Sequence, residues 1–236
     1  MLSIPGYVED SGVVGAPIKH KWNDEDLPTF YTESDRIQSM IAKTTTAGAI
    51  ALALGCLEWV CWRLSKFSDV TVALSAIEAL WAGIVDERYA SSLRASPIAL
   101  KRAAWEGPTR GPIYVVYKQL KGLQECIELK EPASPEASSA VRFGRFVLPA
   151  SKAFDDWWRF ALKRLAESHP AKEEGPNDIG RPIPHEAIDP ATDYKPSDDR
   201  RYLLAFLKSL DPGSNPFLVS AREMTKAGFK GEPYKI

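Results

Sequence analysis

An uncharged stretch in the first third of the chain dominates its pattern of hydrophobic and polar positions. From Thr44 to Leu57 no residue carries a charge, and small residues alternate with Ile and Leu before Trp59 and Trp62 follow one turn apart. A segment that is apolar on every side is either a buried helix or a membrane span. We predict that 36–66 forms a central helix around which the rest of the chain packs.

The residues that flank this stretch argue against a membrane span. A span needs about 20 predominantly apolar residues. This run is shorter, because it begins after Lys43 with three threonines and is ended by Glu58. A carboxylate at the middle of a membrane costs on the order of 3 kcal/mol even on a lenient insertion scale. Gly48 and Gly55 weaken an isolated helix, so we expect them to permit close approach by neighbouring helices. The segment is therefore predicted to be the core helix of a soluble bundle.

Apolar residues at helical spacing predict further helices along the chain. The stripes of apolar residues lie within 70–85, 113–127, 154–165 and 203–210. Shorter helices are expected to begin at Ser96-Pro97 and at Asn215-Pro216, because a capping side chain followed by proline is typical of a helix start. Segment 142–148 fits either a strand or a helical turn.

Two segments show no helical period. Residues 1–30 are rich in Gly, Pro and acids, and 171–197 is rich in Pro with few large apolar residues, which is typical of irregular connections. We expect 1–30 to be an acidic arm whose few apolar residues could dock on the body. We expect 171–197 to be either a mobile loop or a strap over the surface. The prediction is an all-α, single-domain bundle of about six or seven helices over 31–236.

Composition and charge are those of an ordinary globular protein. The 236 residues are 44% hydrophobic and 26% charged, with a formal net charge of −1, which argues against a general polyanion binder. Basic residues recur through 142–164 near aromatic residues, but no nucleic-acid-binding signature accompanies them, and we predict solvated helix faces. Two of the three cysteines lie in the apolar helix, so we expect buried thiols in a reducing compartment. No secretory signal is recognisable, and the predicted location is the cytoplasm.

Local motifs for catalysis, metal binding and nucleotide binding do not occur in the sequence. It contains no G-x-S-x-G, no H-E-x-x-H, no paired C-x-x-C and no glycine-rich phosphate loop. The three histidines, His20, His169 and His185, lie in or beside irregular segments, where no helix would hold them on one face with carboxylates. We therefore expect no catalytic residue, no metal and no cofactor.

Two classes of function are compatible with these features. The favoured one is a non-catalytic protein that binds another protein, for example a bacterial immunity protein that neutralises a cognate toxin by direct binding. Acids of the arm would suit a toxin with a basic surface, and the predicted partner-binding residues are Trp22, Asp24, Glu25, Asp26 and Tyr31. The alternatives are a hydrolase-like enzyme with a site assembled around the 169–189 loop, and an adaptor or chaperone-type interaction module. A pocket in which His169 or His185 converges with an acid and a bound ion would support the enzyme. The sequence does not determine the oligomeric state.

Overall fold

Helices account for the regular structure throughout the described part of the chain. The computed structural model describes residues 2–24, 35–93, 105–150, 152–171 and 178–236, in which there is no strand. These ranges contain nine α-helices: α1 (Gly6–Glu9), α2 (Asp35–Ile41), α3 (Thr46–Leu64), α4 (Thr71–Val85), α5 (Gly107–Leu129), α6 (Ser134–Val147), α7 (Lys152–Ser168), α8 (Asp199–Ser209) and α9 (Ala221–Lys226). Short 3₁₀ helices lie at Glu87–Tyr89, His185–Ile188 and Pro196–Asp198. The all-α class is confirmed, and the count exceeds the expected one partly because the short α1 and α9 are included.

The central apolar helix is α3, and it is buried on all sides. Every residue of α3 except Trp62 is buried, because α4, α5, α6 and α7 all pack against it. By length and composition alone α3 could cross a membrane, but 94% of its most apolar 18 residues lie inside the protein. Helix α3 is therefore the core around which the other helices are arranged.

Segment 36–66 contains two helices rather than the single helix that its sequence predicts. The break lies between α2 and α3, where the Thr45 side chain accepts a hydrogen bond from the Gly48 N–H at 3.2 Å and so caps α3. The Thr45 N–H and the Thr44 hydroxyl both donate to the His169 carbonyl, at 2.9 and 2.8 Å. These threonines therefore end one helix and begin the next, because their polar groups have partners outside a continuous helix.

Residues 178–198, hereafter the strap, run along α3. At one end the Ala47 N–H donates to the Ile179 carbonyl at 2.6 Å. Further along, Ile188 fills a notch at Gly55, where an added Cβ would lie only 2.7 Å from Ile188 Cδ1. The described part of the proline-rich connection is thus a strap laid over the core helix, and it covers a side that the neighbouring helices leave open.

The N-terminal segment 2–24 docks on the bundle, as its scattered apolar residues allowed. Val8 and Val13 are buried, at 0% and 2% exposure. The Tyr7 ring lies 5.9 Å from the Trp59 ring and 5.6 Å from the Trp157 ring, centre to centre. Tyr7 thereby joins the first turn of the chain to both α3 and α7.

Helix α5 begins at Gly107, six residues before the apolar stripe that predicts it. Pro108 occupies the first turn, where its missing N–H costs nothing, but Pro112 lies inside the helix. Pro112 cannot donate to the Pro108 carbonyl, and His20 Nε2 lies 2.8 Å from that carbonyl instead. A side chain of the N-terminal segment therefore compensates for the helix-breaking proline, which no local pattern predicts.

The remaining differences lie near the ends of helices. Segment 142–148 is helical and largely belongs to α6. The last helix begins at Ala221, after a capping box formed by Ser220 and Glu223, and not at Asn215. The Asn215 amide instead donates to the Ser75 carbonyl and to Glu78 Oε2, at 2.8 and 2.9 Å. The helix expected at Ser96-Pro97 falls mostly on residues outside the described ranges.

Candidate functional site

A fully buried carboxylate, Glu58, joins α3 to α4 and to the strap. Its Oε1 accepts a hydrogen bond from Trp81 Nε1 at 2.8 Å, and its Oε2 lies 3.0 Å from His185 Nε2. The His185 side chain is 27% exposed, so the cluster reaches the surface at one edge. Burial lowers the pKa of His185, but the charge of Glu58 and its hydrogen bond outweigh burial and leave that pKa raised. His185 therefore favours its imidazolium form beside Glu58.

The groups around this pair lack a nucleophile. Burial and the negative charges of Glu58 and Asp189 raise the pKa of Tyr7, so its phenol stays neutral. Burial likewise raises the pKa of the Cys56 and Cys61 thiols well above their usual range. Within the described ranges, no hydroxyl or thiol is hydrogen-bonded to the His185 ring. The histidine and the acid thus converge, but as an attachment of the strap to the core.

A second buried network holds the far end of the strap. The Tyr194 hydroxyl donates to Asp199 Oδ1 at 2.6 Å, and His169 Nε2 lies 2.7 Å from the same hydroxyl. Burial raises the pKa of both Tyr194 and Asp199. His169 is 1% exposed, which leaves a substrate no access to its ring. This network connects the end of α7, the strap and the start of α8.

A polar cavity of about 270 Å³ lies between α2, α6 and α7. Its walls combine guanidinium groups from three helices with apolar and aromatic side chains. We call it the arginine pocket, and it is lined by Arg36, Ile37, Met40, Arg145, Trp158 and Arg159. Concave sites with a few convergent polar groups on a largely apolar wall are typical of binding sites.

Asp155 organises two of the arginines at the pocket. Its two carboxylate oxygens accept from Arg145 Nε and Nη2 at 2.7 and 3.1 Å, and Trp158 Nε1 donates to the same carboxylate at 2.9 Å. The Arg159 Nη2 is more loosely placed, 3.6 Å from Asp155 Oδ2. Burial raises the pKa of Asp155, but the hydrogen bonds from Arg145 and Trp158 outweigh it and lower that pKa overall. Asp155 therefore stays ionised and holds Arg145 in a fixed bidentate geometry.

Helical spacing and one close helix contact build this arrangement. Asp155, Trp158 and Arg159 stand at i, i+3 and i+4 on α7, and therefore on one face. Arg145 comes from the last turns of α6, which approaches α7 closely: a Cβ added at Gly144 would lie 2.4 Å from Phe154 Cζ. The guanidiniums of Arg145 and Arg159 lie over the Trp158 ring, with their Cζ atoms 5.2 and 5.3 Å from the ring centre. This is a favourable cation–π geometry.

Trp22 and Asp24, two of the predicted partner-binding residues, lie together at the start of α5. Trp22 Nε1 donates to Asp24 Oδ1 at 2.8 Å, and the Gly107 N–H donates to the same carboxylate at 3.1 Å. The Trp22 ring occupies the space beside Gly111, where an added Cβ would lie 2.3 Å from Trp22 Nε1. Both side chains therefore have roles within the chain. Their contact with a partner stays a prediction.

The other three predicted residues, Glu25, Asp26 and Tyr31, lie outside the described ranges. Conversely, sequence reasoning missed the arginine pocket. The basic and aromatic residues of 142–164 gave a signal, but their interpretation as solvated helix faces concealed the pairing of Arg145 and Arg159 around Trp158. Arg36 belongs to a helix more than a hundred residues earlier in the chain, so only the fold brings it to this face.

The described ranges hold no group of three or more His, Cys, Asp or Glu side chains that could bind a metal ion. No family model matches the chain, and no curated protein or solved structure matches it significantly.

Proposed function

We propose that this protein is non-catalytic and acts by binding another protein, with the arginine pocket at the centre of the contact face. The observation that carries the proposal is the pocket itself, where three arginines line a concave surface and two of them, Arg145 and Arg159, lie over the buried Trp158 ring. Arg and Trp are enriched among the residues that dominate the energetics of protein interfaces. Asp155 already fixes the Arg145 side chain with two hydrogen bonds, so this part of the pocket loses little side-chain entropy on binding.

The surroundings of the reactive side chains support binding over catalysis. His20 contacts backbone carbonyls, while His169 and His185 attach the strap. The three cysteines are buried. In the described ranges these residue types thus have structural partners, which is the arrangement expected of a binding protein whose active surface lies elsewhere.

One specific version is an immunity protein that neutralises a cognate toxin by occupying its surface. The expectation of a basic toxin depends on the acids of the arm, and among them Asp24 is engaged at the start of α5. The arginine pocket instead favours a partner that presents acidic groups at this face, since opposite charges at an interface steer association and fix its register.

Partner capture with charge-reversed variants tests the proposal. We would compare cross-linked and co-purified proteins from native lysate for the unchanged chain, for Arg159→Glu and for Arg36→Glu. Arg222→Glu, at an exposed position on α9, is the matched control, and circular dichroism checks the folding of each variant. We expect one protein to be captured by the unchanged chain and by the control but lost with both pocket variants. Recovery of the unchanged chain as a lone monomer would refute the proposal, and so would capture of the same protein by both pocket variants.

The pairing of His185 with Glu58 favours one second candidate, a hydrolase-like enzyme. A partly exposed imidazole beside a buried carboxylate corresponds to two members of a nucleophilic triad, while within the described ranges no nucleophile is hydrogen-bonded to His185. The test is a panel of ester, amide and phosphoester substrates with the full chain. Turnover that disappears in His185→Gln would establish this candidate, and no turnover on the panel would remove it.

A further inference from the structure

We infer that the arginine pocket binds a glutamate or aspartate side chain from an extended acidic peptide segment, clamped between Arg36 and Arg159. The inference rests on the proposed function and specifies the chemistry that the contact face would recognise. It assigns different roles to the three arginines, and these roles follow from their contacts.

Arg145 is the fixed support of the pocket. Its Nε and Nη2 donate to Asp155 Oδ1 and Oδ2, at 2.7 and 3.1 Å. Its guanidinium also lies over the Trp158 ring. This ion pair uses two of the five N–H donors of the guanidinium and compensates its charge, so Arg145 attracts an incoming anion less than an unpaired arginine does. Arg145 and Asp155 together contribute almost no net charge, and they hold the tryptophan in place.

Arg159 and Arg36 are the groups that remain for a ligand. The Arg159 side chain is 53% exposed and its contact with Asp155 is long, 3.6 Å, which is worth little in water. Arg36, an exposed residue of α2, also lines the pocket. Counting the lining residues with Asp155, the pocket carries three positive charges against one negative charge. One anionic group placed between Arg36 and Arg159 lowers this net charge from +2 to +1.

The size and the apolar wall favour a peptide over a free inorganic anion. The cavity of about 270 Å³ is much larger than the space of about 30 Å³ that one water molecule takes in the liquid. Ile37 and Trp158 are buried and Met40 is half-buried, so Met40 supplies most of the apolar wall that a bare phosphate or carboxylate would leave uncovered. An acidic side chain with an apolar neighbour fills both parts, because the carboxylate meets the arginines and the neighbour meets the apolar wall.

The test uses the full chain and two matched peptides, acetyl-Ala-Glu-Leu-Glu-Ala-amide and its Gln counterpart, with inorganic phosphate as a third probe. Titrations are followed by ¹⁵N nuclear magnetic resonance of the arginine Nε–H groups and by calorimetry. We expect the acidic peptide to bind and the Gln peptide not to bind. We expect Arg36→Gln or Arg159→Gln to weaken binding by about tenfold or more, as loss of one charged hydrogen-bonded pair implies. Arg222→Gln should leave binding unchanged.

The inference is overturned if the acidic peptide does not bind, and three further outcomes would also overturn it. The first is equal binding of the two peptides, the second is equal weakening by Arg222→Gln, and the third is phosphate binding as tight as that of the peptide with the same dependence on Arg36 and Arg159. Failure here is distinguishable from failure of the proposed function. If the captured partner still depends on the pocket but the acidic peptide does not bind, the protein-binding proposal stands and the carboxylate assignment falls.

Discussion

Glu58 lies in the middle of a helix whose other residues are almost all apolar, and its surroundings explain why the core tolerates it. A buried carboxylate is costly unless its oxygens are hydrogen-bonded and its charge is compensated. Trp81 donates to one oxygen, and His185 supplies a hydrogen bond and a positive charge to the other. The same glutamate that argued against a membrane span in the sequence is thus the residue that ties the strap to the core.

The pH dependence of stability should report the ion pair between Glu58 and His185. Because the folded pKa of His185 is raised, its stabilising effect is complete below the unfolded value of about 6.5 and is lost as the pH rises through the folded pKa. Glu58→Gln keeps the shape but removes the charge, so the fall in stability above neutral pH should become shallower. His185→Ala should cost about 3 kcal/mol, because it leaves the buried carboxylate without its counter-charge.

Urea denaturation of the unchanged chain and of Glu58→Gln at pH 6 and pH 9 measures this difference directly. Comparing the two proteins cancels the titration of groups remote from the pair. An identical pH dependence in both would contradict the assigned pair.

The notch at Gly55 gives a second test at a single position. A Cβ there would lie 2.7 Å from Ile188 Cδ1 and 2.8 Å from the Trp157 ring, so Gly55→Ala should cost about 1–3 kcal/mol through overpacking. Gly122→Ala on α5 is the matched control, since its Cβ would meet only Glu136 Cγ at an ordinary 3.6 Å. The control should gain about 0.5–1 kcal/mol from helix propensity. Chemical denaturation distinguishes the two, and a stabilised Gly55→Ala would mean that the strap does not fill the notch.

At the scale of elements, the sequence predicted helices well where their apolar stripe continues and poorly where a distant group determines an end. The stripes of α4, α7 and α8 indicate their faces directly, because the core selects helical spacing. The break before α3 depends on the His169 carbonyl, and the start of α5 depends on His20. Neither partner lies near in sequence. The arginine pocket escaped prediction for the same reason, as α2, α6 and α7 meet only in the fold.

The start of α5 allows a test of whether Asp24 is a structural residue. Asp24 accepts from Trp22 Nε1 and from the Gly107 N–H, so Asp24→Ala should destabilise the fold by about 1 kcal/mol, as loss of a helix cap does. Asp24→Asn should cost less stability than Asp24→Ala, because its amide oxygen can still accept a hydrogen bond. Asp193→Ala, at a side chain that is 94% exposed, should change stability by less than about 0.5 kcal/mol. Thermal denaturation compares the three variants, and an Asp24→Ala as neutral as Asp193→Ala would show that the carboxylate is free to meet a partner.

At the scale of the whole molecule, the strap makes the core continuous. Helices α4, α5, α6 and α7 pack around α3, and the strap covers the line from Ala47 to Glu58 that remains between them. Detachment of the strap would expose apolar surface of α3 and leave the Glu58 carboxylate uncompensated. The strap should therefore be as stable as the core that it covers, although its proline-rich sequence resembles that of a mobile loop.

Native-state hydrogen exchange with increasing urea tests this cooperativity. The Ala47 N–H, which donates to Ile179 of the strap, should exchange with the same free energy and denaturant dependence as amides in the middle of α3, because both require global unfolding. Amides of α9, where only Met224 is buried, should open separately at lower free energy. Tyr194→Phe breaks the link between His169 and Asp199 and should lower the protection of Ala47 and of mid-α3 amides equally, by about 1–3 kcal/mol. Loss of protection at Ala47 alone would mean that the strap opens by itself, and that the core of this protein is complete without it.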